Sequence, residues 1–218
     1  MIVVLIGPPG SGKSTQGHLL STEYNIPFIG VGDLVRDMIH SDENEYAQKV
    51  NSGNLLPDDI VFNIVKTELE KHNLQQGVLI EGYPRTIRQA ELLDDFLTNN
   101  QLALDCVLYL NKVSQKQLSN RIAGRYQCQN CGATYSKERV PQNLLCNRCN
   151  TPLVPREDDA SESLICRMKE YQKKSLPVCE YYEKTDRICA IDASQSIEEV
   201  FTLLKNCLEK DKNDPFKK

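Results

Sequence analysis

The sequence predicts an α/β fold, a doubly wound parallel sheet of about five strands with helices on both faces. Short runs rich in Val, Ile and Leu alternate with segments of helical periodicity, which is the pattern of a buried parallel sheet. A glycine-rich turn directly follows the first apolar run, as in strand–turn–helix units that bind phosphate. The length of 218 residues suits one such core with room for one or two inserted segments.

Five apolar runs are predicted to form the strands of the sheet. They span residues 2–6, 27–29, 78–81, 106–110 and 188–191. Apolar residues at helical spacing predict helices over 16–24, 58–72, 86–97, 114–124, 161–182 and 196–208, the fifth of them with a possible interruption at Pro177. Three of these helices are expected to begin with a capping box, formed by Thr86 with Gln89, Ser114 with Gln117, and Ser196 with Glu199.

Two stretches interrupt the alternation of strands and helices. Residues 32–56 are more polar and are predicted to form a small helical insertion. Residues 126–158 are rich in Cys, Asn and Pro and show little periodicity, so we interpret them as a second insertion.

The glycine-rich turn matches the motif G-x-x-x-x-G-K-[S/T] in the sequence Gly7-Pro8-Pro9-Gly10-Ser11-Gly12-Lys13-Ser14. In this motif the backbone N–H groups and the start of the following helix converge on phosphate oxygens. Lys13 is expected to reach the β- and γ-phosphates, and the Ser14 hydroxyl to face a Mg²⁺ ion. The alternative is a strand–helix turn with no ligand, but the complete match favours nucleoside triphosphate binding.

Four cysteines in the second insertion have the spacing of a zinc site, in two pairs separated by 14 residues: Cys128 with Cys131, and Cys146 with Cys149. The spacer is slightly shorter than the usual range of about 15–20 residues. Four thiolates form a closed, structural Zn²⁺ site. A redox-active dithiol pair and a site that no longer binds metal are the alternatives. The other five cysteines are expected to be small, buried or half-buried hydrophobic residues, because a P-loop enzyme belongs in a reducing compartment.

Several arginines lie next to predicted strand ends or insertion edges: Arg36, Arg85, Arg121, Arg125, Arg156 and Arg167. Each alone would ordinarily be a solvated surface residue. Together they suit phosphoryl transfer, whose transition state spreads negative charge over oxygens that the protein must position and stabilise.

The composition of the chain argues against two further classes of protein, those that bind nucleic acid and those that span a membrane. The net charge of −4 leaves no general basic surface for nucleic acid. No apolar run approaches the ~20 residues of a membrane span, and we expect a cytoplasmic protein.

Taken together, the motifs resemble those of the adenylate kinases, in particular the long bacterial form with a zinc-bearing lid. They are Gly7 to Gln16, Gly32-Asp33-x₂-Arg36, Gly82-Tyr83-Pro84-Arg85-Thr86-x₂-Gln89-Ala90, Asn120-Arg121-Ile122-x-Gly124-Arg125 and Arg156-x-Asp158-Asp159. The resemblance covers essentially the whole chain. It implies a CORE domain at 1–29, 57–123 and 160–218, an AMP-binding segment at 30–56 and a LID at 124–159. The implied reaction is reversible: MgATP and AMP give two ADP, with both insertions closing over the substrates in a monomeric protein.

The resemblance also implies roles for individual residues. Contacts to ATP fall on Gly10, Ser11, Gly12, Lys13, Ser14, Thr15, Arg121, Arg125, Thr134, Tyr135 and Gln195. Contacts to AMP fall on Val31, Arg36, Asn54, Leu55, Leu56, Gly82, Tyr83, Pro84, Arg85, Gln89, Arg156 and Arg167, with Gln89 reading the base. The groups that act on the transferring phosphates are Lys13, Arg85, Arg121, Arg125, Arg156 and Arg167.

Three positions depart from the family pattern. Ser14 replaces a common glycine, which the general P-loop motif allows. Val31 replaces a threonine that contacts AMP, and the lost hydrogen bond would weaken recognition by about 0.5–1.5 kcal/mol. Glu81 replaces an aspartate near Mg²⁺, which a role through water would tolerate best.

Other functions stay open from the sequence alone. The protein could be another nucleoside monophosphate kinase, or could use GTP as donor. It could instead be a zinc-ribbon ATPase that binds nucleic acid, against which the net charge speaks, or a catalytically weak protein that only binds nucleotide.

Overall fold

The computed structural model describes residues 1–41, 46–137, 139–155 and 161–212. Its central sheet contains β1 (Ile2–Ile6), β2 (Phe28–Gly30), β3 (Val78–Glu81), β4 (Cys106–Asn111) and β8 (Ile188–Asp192). All four pairings are parallel, in the order β2-β3-β1-β4-β8. The predicted five-stranded parallel sheet is therefore confirmed.

Helices follow or join these strands. They are α1 (Lys13–Tyr24), α2 (Val31–Ser41), α3 (Tyr46–Asn51), α4 (Asp58–Leu69), α5 (Ile87–Asn99), α6 (Gln115–Ile122), α7 (Ser161–Glu170), α8 (Leu176–Glu183) and α9 (Ile197–Lys212). Within the part of the chain that the structure describes, no helix is both long and apolar enough to cross a membrane.

The sheet is buried on both faces, as the continuous apolar runs predict. Alternate residues of β1 point to opposite faces, so Val4 packs with Leu93 of α5 and Tyr182 of α8, whereas Leu5 packs with Leu20 of α1 and Leu204 of α9. The fold is thus doubly wound, and the carboxyl ends of the strands stay open at one edge.

The second insertion forms a separate antiparallel sheet. Its strands are β5 (Tyr126–Cys128), β6 (Thr134–Tyr135) and β7 (Leu153–Pro155), in the order β6-β5-β7. They surround a small cluster of Cys128, Ala133, Cys146 and Leu153. The sequence predicts no strands here because segments of two or three residues are too short to show a period.

The long helix predicted over 161–182 contains a π-helical stretch, Tyr171–Ser175, rather than a break. Pro177 follows in the first turn of α8. Proline has no N–H and its ring crowds the carbonyl four residues earlier, so a widened turn before it lets the chain continue as helix.

Two of the predicted capping boxes form completely, at Ser114–Gln117 and at Ser196–Glu199. The third forms only in half. Thr86 Oγ1 accepts from the N–H of Gln89, but the Gln89 side chain is hydrogen-bonded elsewhere.

The expectation for the scattered cysteines is wrong at two positions. Cys189 on β8 and Cys207 on α9 form a disulfide, with Cα atoms 6.4 Å apart. Their separation of 18 residues belongs to no recognisable motif. Only the packing of α9 beside β8 brings the two residues together.

Candidate active site

A cavity of about 710 Å³ opens at the carboxyl ends of β1 and β3. Its walls come from the glycine-rich turn, both insertions, α6 and α7. Most of the expected nucleotide-binding residues line it: Gly10, Ser11, Gly12, Lys13, Ser14, Thr15, Arg36, Leu55, Gly82, Pro84, Arg85, Arg121, Arg125, Thr134, Tyr135, Arg167 and Gln195. This volume is typical of a ligand site.

The glycine-rich turn has the backbone of a phosphate loop. Gly12 caps α1 at φ 94° and Gly10 has φ 80°, a region that favours glycine. A Cβ on Gly10 would also lie 2.8 Å from Cγ1 of Ile122, so a larger residue would push the turn away from α6. Ser11 Oγ is buried and has no hydrogen-bond partner among the described residues, which suits a loop built around a polar ligand.

Lys13 lies over this loop. Its Nζ donates to the carbonyl oxygens of Gly7 at 2.9 Å and Pro8 at 3.0 Å, and lies 3.9 Å from Oε1 of Glu81. Burial lowers the pKa of Lys13 to about 8, and Glu81 partly opposes this.

Three arginines add positive charge around the lysine. Arg85, Arg167 and Arg125 each lower the pKa of Lys13 through charge repulsion, in that order of strength. The Nε of Arg85 donates to the carbonyl of Gly82 at 2.8 Å, which directs its guanidinium across the strand end. This concentration of positive charge in a partly buried cleft favours a polyanion.

Arg121 is held from the other side of the cleft. Its Nη1 donates to the carbonyl of Ala193 at 2.8 Å and its Nη2 approaches that of Gln195 at 3.5 Å. Arg36 forms an ion pair with Asp33 one turn earlier on α2. Arg156 lies outside the described residues.

A second, smaller cavity of about 80 Å³ adjoins the first. It is lined mainly by α2 and the segment between α3 and α4. Nine of the residues expected to contact AMP line it: Val31, Arg36, Asn54, Leu55, Leu56, Gly82, Arg85, Gln89 and Arg167. Five of these also line the large cavity, so the two spaces share a wall.

Tyr83 lines neither cavity. Its side chain is 0% exposed, and its hydroxyl donates to the carbonyl of Gln89 at 2.9 Å. It therefore supports the backbone under the smaller cavity from within the core.

The four cysteines of the second insertion come together as their spacing predicts. All four Sγ atoms lie within 4.8 Å of one another. Tetrahedral zinc with Zn–S bonds near 2.3 Å separates its sulfurs by ~3.8 Å. The donor set and its size therefore fit Zn²⁺.

The two cysteine pairs sit in equivalent turns. The carbonyl of Cys128 accepts from the N–H of Gly132, and that of Cys146 accepts from the N–H of Asn150. Both turn residues have positive φ, 68° and 59°. Tyr135 adjoins this centre, since its hydroxyl lies 3.3 Å from Sγ of Cys146 and accepts from the N–H of Asn147.

Two site residues, Gln127 and Asp58, gave no usable signal in the sequence. Gln127 Nε2 donates to Oδ1 of Asp33 at 2.8 Å and so connects the two insertions. Asp58 accepts from the Gln89 side chain at 2.8 Å. Asp33 belongs to a recognised motif, but its partner lies 94 residues away, and no local pattern reports such a pair.

Comparison with known proteins gives one consistent result. The family model for adenylate kinase matches residues 5–187. An adenylate kinase from Thermoanaerobacter sp. (strain X514) is 40% identical over 213 residues, which cover 95% of this chain and 98% of that protein. One from Caldanaerobacter subterraneus subsp. tengcongensis is 39% identical over 222 residues, 98% of this chain and 99% of that protein. One from Clostridium acetobutylicum is 36% identical over 214 residues, with 95% and 99% covered.

Proposed function

The chain belongs to the adenylate kinase family and thus catalyses reversible phosphoryl transfer between ATP and AMP, and we propose that the two adjoining cavities are the sites of donor and acceptor. The observation that carries this assignment is that Arg85 and Arg167 line the wall that the two cavities share, while Lys13 and Arg125 line the larger cavity and all three arginines act electrostatically on Lys13. A phosphoryl group passing between two nucleotides would meet positive charge on all sides there.

The larger cavity takes ATP in this proposal. Backbone N–H groups of residues 10–15 hold its phosphates together with Lys13, and the start of α1 adds the positive end of the helix dipole. Thr134 and Tyr135 cover the nucleotide from the inserted sheet. Gln195 lies beside the base, on the segment that leads into α9.

The smaller cavity takes the AMP base. Val31 and Leu56 supply buried apolar walls, and Gln89 supplies a polar edge. Arg36, Arg85 and Arg167 stand where the base pocket opens into the larger cavity, at the position for the AMP phosphate. On the basis of the family resemblance, we assign Arg156 to the same group of arginines around the AMP phosphate.

The chemistry follows from this placement. An oxygen of the AMP phosphate attacks the γ-phosphorus of ATP, and the bond from that phosphorus to the β–γ bridging oxygen breaks, which gives two ADP. The attacking oxygen is already anionic and needs no general base. The protein contributes alignment of the two phosphates and stabilisation of charge on the transferring oxygens by its lysine and arginines.

Two metals complete the proposal. The Mg²⁺ that accompanies ATP would be held by the Ser14 hydroxyl, with Glu81 near it, since Oγ and Oε2 lie 3.4 Å apart and both are hard oxygen donors. Such an ion neutralises charge on the β- and γ-phosphates. Zn²⁺ bound by Cys128, Cys131, Cys146 and Cys149 would stabilise the inserted sheet and take no part in the reaction.

We further assign residues 1–29, 57–123 and 160–218 to a core, 30–56 to an AMP-binding segment and 124–159 to a lid, and both insertions close over bound substrates. Closure excludes water, which would otherwise accept the phosphoryl group. We also assign a monomeric, cytoplasmic protein whose partners are nucleotides. The net charge of −4 supports the preference for small substrates over nucleic acid.

Replacement of Arg85 tests the assignment of the acceptor phosphate site. Arg85→Ala should lower kcat for ADP formation from MgATP and AMP by about 10²–10³, the usual effect of removing one donor to transition-state charge. Arg88→Ala is the matched control, because Arg88 is exposed on α5 and, among the described residues, forms a surface ion pair with Glu91 at 3.9 Å and lines neither cavity. Equal activity of the two variants would refute the assignment.

A further inference from the structure

The side-chain amide of Gln89 is held at both ends. Its Oε1 accepts from the backbone N–H of Arg85 at 2.7 Å. Its Nε2 donates to Oδ1 of Asp58 at 2.8 Å. The residue is 1% exposed, and the Tyr83 hydroxyl anchors its carbonyl from below. The amide therefore has little freedom to move or turn.

These two partners also define which end of the amide is which. A backbone N–H can only donate and a carboxylate can only accept, so the oxygen must face Arg85 and the nitrogen must face Asp58. Reversing the amide would place N–H against N–H at one end and oxygen against carboxylate at the other. Both contacts would be repulsive in a buried position, where an unpaired polar group is costly.

Each end of the amide keeps one hydrogen-bonding group. Nε2 has a second hydrogen and Oε1 has a second lone pair. Gln89 lines the smaller cavity, where Val31, Val35, Leu56 and Val61 supply apolar surface. A base in this pocket would thus meet one donor and one acceptor side by side, in a fixed order.

The order distinguishes two kinds of purine. Adenine presents an acceptor at N1 and a donor at its 6-amino group, which match the donor and the acceptor of this amide. Hypoxanthine and guanine present a donor at N1 and an acceptor at O6, which is the reverse pattern. A fixed amide can satisfy the first pattern or the second, but not both.

We propose that Asp58 is a positioning residue that sets the choice of acceptor base, by holding the Gln89 amide in the orientation that accepts a 6-aminopurine and rejects a 6-oxopurine. The proposal rests on the proposed function, in which this pocket takes the AMP base. Asp58 itself acts only through Gln89. Because Val31 offers no hydroxyl to the base, the orientation of this amide matters more.

The test compares AMP with inosine monophosphate, whose base differs from adenine only along the N1 and 6-position edge. The ratio of kcat/KM for AMP to that for inosine monophosphate is measured with MgATP for the wild type and for Asp58→Asn. Asparagine has the same shape but can also donate, so it tolerates either orientation of the amide at that end. We expect the ratio to fall at least tenfold in Asp58→Asn, mainly through a higher KM for AMP.

Asp59→Asn is the matched control. Asp59 is the next residue, is exposed and lies in the same first turn of α4, so its replacement removes the same charge from the same helix end. The ratio should stay at the wild-type value. Asp58→Glu, which keeps a carboxylate, should retain more of the selectivity than Asp58→Asn. Because each ratio is measured within one protein sample, partial unfolding of a variant cancels out.

The outcomes separate this inference from the function on which it rests. If the wild type forms ADP from AMP with strong preference but Asp58→Asn keeps the same ratio, the role of Asp58 is wrong and the proposed function stands. If the wild type uses inosine monophosphate as well as AMP, the fixed amide does not select the base and the inference falls. If the wild type forms no ADP from AMP, both fall together.

Discussion

Gln127 on β5 donates a hydrogen bond of 2.8 Å to Asp33 on α2, and this contact joins the two insertions across the mouth of the large cavity. Asp33 is also the ion-pair partner of Arg36. A Cβ on Gly132, in the first cysteine turn, would lie only 3.1 Å from Oδ2 of Asp33. The inserted sheet and the first insertion are therefore in direct contact in this arrangement of the chain.

Loss of the Gln127–Asp33 contact should weaken the closed arrangement. Gln127→Ala removes one hydrogen bond to a carboxylate at a partly buried site, worth about 1 kcal/mol, or a fivefold change. We expect KM for both ATP and AMP to rise about fivefold, because each nucleotide is bound most tightly when both insertions close. Steady-state kinetics with each substrate varied in turn will measure this. Gln129→Ala, at an exposed position two residues on, should leave both values unchanged. An effect on neither KM would show that the contact contributes nothing to closure.

ATP binding should depend on pH through Lys13. Its pKa is about 8 in the free protein, against an ordinary 10.5. Bound phosphates favour the ammonium and raise this pKa. At pH 7 the lysine is charged in both states, so affinity is insensitive to pH there. Above pH 8 the free protein has lost the proton that the complex keeps, so binding takes up a proton and the affinity falls, by up to tenfold per pH unit.

Calorimetric titration with ATP between pH 7 and 9.5, in buffers of different ionisation enthalpy, will report both the dissociation constant and the protons taken up. Lys13→Met should bind more weakly at pH 7 and lose the proton uptake above pH 8. A wild-type protein that takes up no proton at pH 9 would show that Lys13 does not bind the phosphates.

Zinc should be present at one ion per chain, and Cys146→Ser should lose it. The inserted sheet has a small apolar cluster, so metal binding supplies part of its folding free energy. A loss of about 2 kcal/mol would lower Tm by ~4–8 °C in a chain of this size. Cys166→Ser, on α7, is a control that should keep its zinc. Metal analysis will measure the zinc content of each variant, and thermal unfolding will measure its Tm. Wild-type protein that binds no zinc when the ion is supplied would favour the redox dithiol interpretation.

The sheet could be predicted because its strands depend on local composition. The run at Val78–Glu81 is apolar throughout, and a buried parallel strand requires little else. The phosphate loop and the cysteine pairs are likewise local, since their residues are close in sequence and their spacing carries the chemistry. The capping box at Ser114 and Gln117 forms for the same reason.

Features that depend on long-range partners could not be predicted. Gln89 was expected to complete a capping box with Thr86, but the carboxylate of Asp58, 31 residues earlier, draws its side chain away. Cys189 and Cys207 meet only because α9 packs beside β8. In both cases the decisive partner is distant in sequence and is brought near by tertiary packing. The local sequence therefore does not predict the contact.

The central claim is that the smaller cavity receives AMP and that the protein transfers a phosphoryl group to it. The most direct measurement is ADP formation from MgATP with AMP, GMP, CMP and UMP offered in turn, in protein shown to contain zinc. We predict rapid formation of ADP with AMP and at least ~100-fold lower kcat/KM with each of the others, which corresponds to about 2.7 kcal/mol of discrimination. Equal or greater activity with another acceptor, or no activity with AMP, would contradict the account.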